Sequence, residues 1–127
     1  MAKIVVADDV DYIRKSITKF LEAEGHECVM CENGREAKEK LADGGYDLLI
    51  TDIMMPEVDG FELIEFVRQE SEHNKEMPIL AISGGSKTIN SDMALTIIHD
   101  QVDKVLQKPF TKNDLLDSVA FILNKKD

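Results

Sequence analysis

The chain opens with Ile4-Val5-Val6-Ala7, a short, largely β-branched run without polar alternation, the pattern of a strand buried on both faces. After two acids, Asp8-Asp9, the period changes. Ile13, Ile17, Phe20 and Leu21 recur at helical spacing from Asp11 until Gly25, a residue suited to the left-handed turn that ends a helix. The alternation then repeats. Glu27 to Cys31 reads as a second strand, and a helix begun near Asn33-Gly34 runs through Ala37 and Leu41 to Gly44-Gly45. Asp47-Leu48-Leu49-Ile50 is a third strand, and Asp59-Gly60 opens a helix with Phe61, Ile64 and Val67 on one face. Pro78 to Ile82 is a fourth buried strand, Ser91 to His99 a short helix, and Lys104-Val105-Leu106 a fifth strand. Thr111 caps a last helix carrying Leu115, Leu116, Val119 and Ile122, with Asp114 where a reciprocal capping box usually has Glu or Gln.

Five strands alternating with five helices predict an α/β fold, a doubly wound five-stranded parallel sheet with helices on both sides. Ligands in such folds bind outside the carboxyl ends of the strands, near the switch in strand order. Asp8 and Asp9 follow the first strand, Asp52 the third, Ser83 the fourth and Lys108 the fifth, so all five are expected on one edge. With 127 residues, 43% of them hydrophobic, residues 1–127 are expected to form a single domain with a full core. No Gly-, Pro- or Ser-rich linker leaves room for a second one, although a chain cut from a longer protein would read the same way.

The balance of 25 acidic against 15 basic residues, a formal charge of −10, argues against direct binding to DNA or RNA backbones and points to proteins or cations as partners. No apolar run approaches bilayer-spanning length, and the acids come too early for a signal peptide, so a cytoplasmic location without membrane insertion is expected. The two cysteines form Cys28-Val29-Met30-Cys31. On a strand, side chains three apart point to opposite faces, so these thiols are expected to pack rather than share a disulfide or a zinc ion.

Three carboxylates on one spot repel one another unless some are protonated or a hard cation neutralises them, and oxygen donors in a small site suit Mg²⁺. Singly, Asp8 or Asp9 would read as a helix cap. Transfer of a phosphoryl group to a carboxylate needs charge neutralisation and alignment more than it needs a base. Lys108 and Ser83 are placed to supply the remaining cation and a hydroxyl donor.

These residues together resemble the receiver domain of bacterial response regulators. The likeness is carried by Val5-Val6-Ala7-Asp8-Asp9, by Leu49-Ile50-Thr51-Asp52-Ile53-Met54-Met55-Pro56 with Asp59-Gly60, by Ser83, and by Lys108-Pro109-Phe110. It implies a flavodoxin-like fold and a signalling protein rather than an enzyme. Asp52 would take phosphate from a sensor histidine kinase or a histidine phosphotransfer protein. Asp9, Asp52 and the Met54 carbonyl would bind Mg²⁺ directly, with Asp8 assisting through water. Lys108 would contact the phosphoryl group, Ser83 would swing toward it, and the face of the fourth helix, fifth strand and fifth helix would change for a downstream protein target.

One position departs from the pattern. Val105 stands where many receivers carry a Tyr or Phe that rotates inward, so the loop Gly84 to Asp92 and the helix after it are the expected switch, with Ser83 as trigger. Met54 and Gly85 would flank the path of an attacking water without a polar side chain, which implies slow self-dephosphorylation. A haloacid-dehalogenase-like phosphatase with Asp9 and Asp11 as its acid pair would leave the Asp52 motif unexplained. A dinucleotide or flavin binder lacks a Gly-rich phosphate cradle after the first strand. A phosphate-independent, receiver-like binding module is the remaining alternative.

Overall fold

The computed structural model describes residues 2–53, 55, 60–70, 76–83 and 101–126. Five strands, β1 (Lys3–Ala7), β2 (Glu27–Cys31), β3 (Leu48–Asp52), β4 (Ile79–Ser83) and β5 (Lys104–Gln107), form one parallel sheet in the order β2-β1-β3-β4-β5. Four helices lie among the described residues: α1 (Asp11–Ala23), α2 (Gly34–Leu41), α3 (Gly60–Glu65), continued by a π-helical turn at Phe66–Glu70, and α4 (Lys112–Lys126). The helix expected over Ser91 to His99 falls outside the described residues.

The central strands are apolar along most of their length because both of their faces are covered. Val5, Ala7, Leu49, Ile79 and Ala81 turn toward α2 and α3, where they meet Ala37, Leu41, Leu63 and Val67. Ile4, Val6, Leu48, Ile50, Leu80 and Ile82 turn the other way, toward Ile17 and Leu21 of α1 and Leu115, Val119 and Ile122 of α4. Each such large aliphatic side chain, fully buried, contributes about 2 kcal/mol of transfer free energy. The two layers hold the sheet as a rigid frame for whatever projects from its ends.

Three strands run past their expected carboxyl ends, β5 by Gln107 and the other two by residues of the acidic edge, since backbone pairing continues after the side chains turn polar. β3 includes Asp52, in register with Ile82, and β4 includes Ser83, in register with Gln107. Both residues are buried.

Local signals place the helix starts. The Asn33 side chain accepts the Glu36 N–H at 2.9 Å, and Glu36 in turn accepts the Glu32 N–H at 2.8 Å. At α4 the Thr111 hydroxyl accepts the Asp114 N–H at 3.0 Å while Asp114 accepts the Thr111 N–H at 3.1 Å. That is a closed capping box in which Asp does the work of Glu. At the amino end of the sheet, Arg68 donates to the carbonyls of Gln101 at 2.8 Å and Met77 at 2.7 Å, with Asp103 at 3.6 Å. Asp103 accepts the Ile79 N–H at 2.9 Å, so the entrances to β4 and β5 are tied together.

Cys28 and Cys31 are free thiols on opposite faces of β2: Cys31 sits in the α2–α3 layer and Cys28 packs against the α1–α4 layer. Burial, with nearby glutamates adding to it, pushes each thiol up to about 11. At pH 8 the thiolate fraction in the folded protein is therefore about a hundredfold below that of the same cysteines unfolded. Alkylation by iodoacetamide, followed by intact mass, is expected to be slow in native buffer and fast in denaturant.

Candidate functional site

The strand order reverses between β1 and β3, and the carboxyl ends of these two neighbours carry the acids. Asp8 leaves β1 with its side chain fully buried, and its Oδ1 accepts the Val10 N–H at 2.8 Å. That oxygen is thus spent on its own turn, and α1 follows Val10 without a side-chain cap. Asp52 ends β3 and is 3% exposed, whereas Asp9 is exposed to solvent. One oxygen from each of Asp8, Asp9 and Asp52 lies within 4.8 Å of the others.

Lys108, which follows β5, reaches into this group. Its backbone N–H donates to the Ser83 carbonyl at 2.8 Å, fixing the end of β5 against the end of β4. Its ammonium donates to Asp52 Oδ2 at 2.8 Å and stands 3.3 Å from Asp8 Oδ2. The second contact is a charge contact without hydrogen-bond geometry, so Asp8 Oδ2 is buried with no hydrogen-bond donor. The Lys108–Pro109 peptide bond is cis.

The electrostatics follow from this crowding. Two carboxylates at such separations repel by about 3 kcal/mol near a protein surface. Burial raises the Asp8 pKa; the Val10 N–H lowers it, the Asp52 charge raises it again, Lys108 lowers it, and the net direction is up. For Lys108, burial pulls downward, but the Asp52 hydrogen bond and the charges of Asp52 and Asp8 outweigh it, so the ammonium is held above its ordinary value. A buried, under-coordinated carboxylate oxygen beside two more carboxylates is a donor set of the kind a hard divalent cation completes.

Ser83 is buried at the end of β4, the strand beside β3, and directly follows Ile82, the register partner of Asp52. Met54, Gly84 and Gly85 lie outside the described residues. Beside the acids, rather than over them, is a cleft of about 530 Å³ lined by Tyr12, Ile13, Phe20, Lys108 and Phe110 among others. Lys108 is the one site residue in that lining.

The whole arrangement has relatives. Residues 4–120 match the family model for the response regulator receiver domain. The chain belongs to the response regulator receiver family. It is 34% identical to the response regulator receiver protein CpdR of Brucella abortus over 97% of this chain and 98% of that protein. It is 36% identical to the chemotaxis protein CheY1 of Helicobacter pylori, over 98% of this chain and 99% of that one. Among solved structures, chemotaxis protein CheY4 of Vibrio cholerae superposes with a TM-score of 0.83 at 30% identity, covering 97% of this chain and 99% of the other.

In this receiver two further residues shape the site, and their pattern does not announce it. Gly60, at the start of α3, donates its N–H to the Ile53 carbonyl at 2.8 Å. A Cβ there would lie 2.4 Å from the Asp52 carbonyl oxygen and 2.6 Å from Ile53 Cα, both backbone atoms that cannot swing aside. Arg14, in the first turn of α1, is 5% exposed and donates to the Asp8 carbonyl at 2.8 Å. Asp11, by contrast, is engaged by Lys15 at 2.9 Å and by Arg14; the Lys15 hydrogen bond leads in holding its carboxyl low. It is poorly suited to the acid role that the phosphatase alternative would give it.

Two stability outcomes are expected. Gly60→Ala destabilises by about 3 kcal/mol, as an overpacked backbone contact does, which urea unfolding would measure. Asp8→Asn keeps the acceptor for Val10 and removes a carboxylate whose folded pKa is raised. Such a group stabilises the fold below its unfolded value of 3.8 and loses that contribution as pH rises through the folded value. The variant is therefore expected to melt several degrees higher than the wild type at pH 7 in Mg²⁺-free buffer, with the difference vanishing below pH 3.8.

Proposed function

We propose that this chain is a phosphoacceptor in a two-component or phosphorelay pathway, with Asp52 as the acceptor. The observation that carries the reading is the Asp52 carboxylate itself, buried at a strand end, hydrogen-bonded by the Lys108 ammonium and flanked by two more acids. Membership of the receiver family supports it. The donor is a phosphohistidine on a sensor histidine kinase or a histidine phosphotransfer protein. An oxygen of Asp52 forms the new O–P bond as the P–N bond breaks, and the imidazole leaves with the electron pair and takes up a proton.

Asp9, Asp52 and the Met54 carbonyl are the groups that would hold Mg²⁺, with Asp8 assisting through water. The cation supplies neutralising charge to the phosphoryl oxygens. Lys108 exchanges its bond to Asp52 for one to the phosphoryl group and keeps the added charge paired within a poorly solvated edge. Ser83 brings a hydroxyl from the adjoining strand end and acts as the trigger. Half-buried Val105 occupies β5 where an aromatic could otherwise rotate, so the change is assigned to the loop Gly84 to Asp92 and the helix expected after it, and the family resemblance would give that helix a shared face with β5 and α4.

The output is a protein contact rather than turnover of a substrate, and the setting is the cytoplasm. Among the described residues no helix is long and apolar enough to cross a membrane. The family resemblance would set Met54 and Gly85 beside the path of an attacking water, and since neither brings a polar side chain the acyl phosphate is expected to persist and to need a partner for rapid removal.

Incubation with acetyl phosphate and Mg²⁺, followed by intact mass, is expected to add one base-labile phosphoryl group to the wild type and none to Asp52→Asn. If neither protein is modified by acetyl phosphate or by a phosphohistidine donor, a phosphate-independent binding module becomes the better account.

A further inference from the structure

We infer that Arg14 is a positioning residue for the acidic turn, setting the direction in which Asp9 presents its carboxylate to a divalent cation. The inference rests on the phosphoacceptor reading and deepens it. Asp9 is exposed, so packing does not orient it. Its backbone is held instead through the peptide planes on either side. The plane before Asp9 contains the Asp8 carbonyl, which accepts from Arg14 Nη1 at 2.8 Å. The plane after it contains the Val10 N–H, which donates to Asp8 Oδ1 at 2.8 Å. With both planes pinned, the Cα–Cβ direction of Asp9 follows.

Arg14 is itself well anchored. Its side chain is 6% exposed, its Nη2 meets the Asp11 carboxylate, and Glu32 stands 3.8 Å away. A planar guanidinium can reach the Asp8 carbonyl and Asp11 at once; a lysine ammonium on a flexible stem does not reproduce that fork. The work done is against repulsion, since three carboxylates with oxygens within 4.8 Å would otherwise splay, and the exposed Asp9 is the one able to leave. Charge alone predicts the opposite sign: removing a cation near the site would tighten divalent binding. Asp11 and Glu32 largely cancel that charge, which leaves geometry as the contribution of Arg14.

The test compares wild type, Arg14→Lys and Arg14→Met by titrating ¹⁵N-labelled protein with MgCl₂ and following backbone amide shifts, a readout independent of phosphoryl chemistry. Thermal melts in Mg²⁺-free buffer run alongside. The Met variant is expected to bind Mg²⁺ about tenfold more weakly, and Lys to lie between, as losses of ligand-orienting partners do. Phosphoryl uptake from acetyl phosphate should recover in both variants at saturating Mg²⁺. An unchanged or tighter Mg²⁺ constant, whether or not the melting temperature falls, overturns the inference while leaving Asp52 as acceptor. Should Arg14→Met fail to fold, Arg14→Lys carries the comparison with the same two outcomes. A wild type that binds no Mg²⁺ would remove the functional reading and this inference together.

Discussion

Asp8 and Asp52 leave neighbouring parallel strands side by side, each strand buried on both faces, and the sheet gives neither side chain a way to withdraw into solvent. What makes that arrangement stable is the Lys108 ammonium, hydrogen-bonded to one carboxylate and in charge contact with the other. A buried ion pair adds little net stability on folding, yet loss of one partner leaves an uncompensated charge that is expensive. The acidic edge, the junction of β4 with β5 through the Lys108 N–H, and the placement of Ser83 all hang on that lysine's position. The fold thereby keeps a concentration of negative charge in reserve at one end of the molecule.

The surrounding structure serves to keep that edge from relaxing. Gly60 lets the start of α3 lie directly on the Asp52 backbone, and Arg14 holds the Asp8 carbonyl from the other side. Neither residue touches the space among the carboxylates. Their effect is on backbone direction, which decides where short side chains such as Asp can point. Short carboxylates suit such a frame because few rotatable bonds separate them from it.

The strands were easily read because parallel strands buried on both faces appear as unbroken apolar runs, and the caps at Asn33 and Thr111 were equally plain. Strand ends were less so. Asp52 and Ser83 remain within their ladders because backbone pairing ignores side-chain polarity. The acids and Lys108 were legible from their places after successive strands, and the structure brings Asp8, Asp9, Asp52 and Lys108 together. Arg14 was not, since between Ile13 and Ile17 a charged residue reads as solvated, and its partner is a carbonyl that every residue possesses. Gly60 was visible as part of a motif, but the contact that requires it joins segments that meet only in three dimensions. The π-helical turn after α3 was hidden because Phe61, Ile64 and Val67 fit an ordinary helical period.

The tie made by Arg68 acquires meaning beside the one made by Lys108. The Ser83 carbonyl is held by the Lys108 N–H at one end of the β4–β5 pair, and the carbonyls of Met77 and Gln101 are held by Arg68 at the other. In mechanical language the two strands are planks clamped at head and foot. Planks so clamped resist sliding past one another, so the register that sets Ser83 beside Gln107 is kept at the edge where the carboxylates gather.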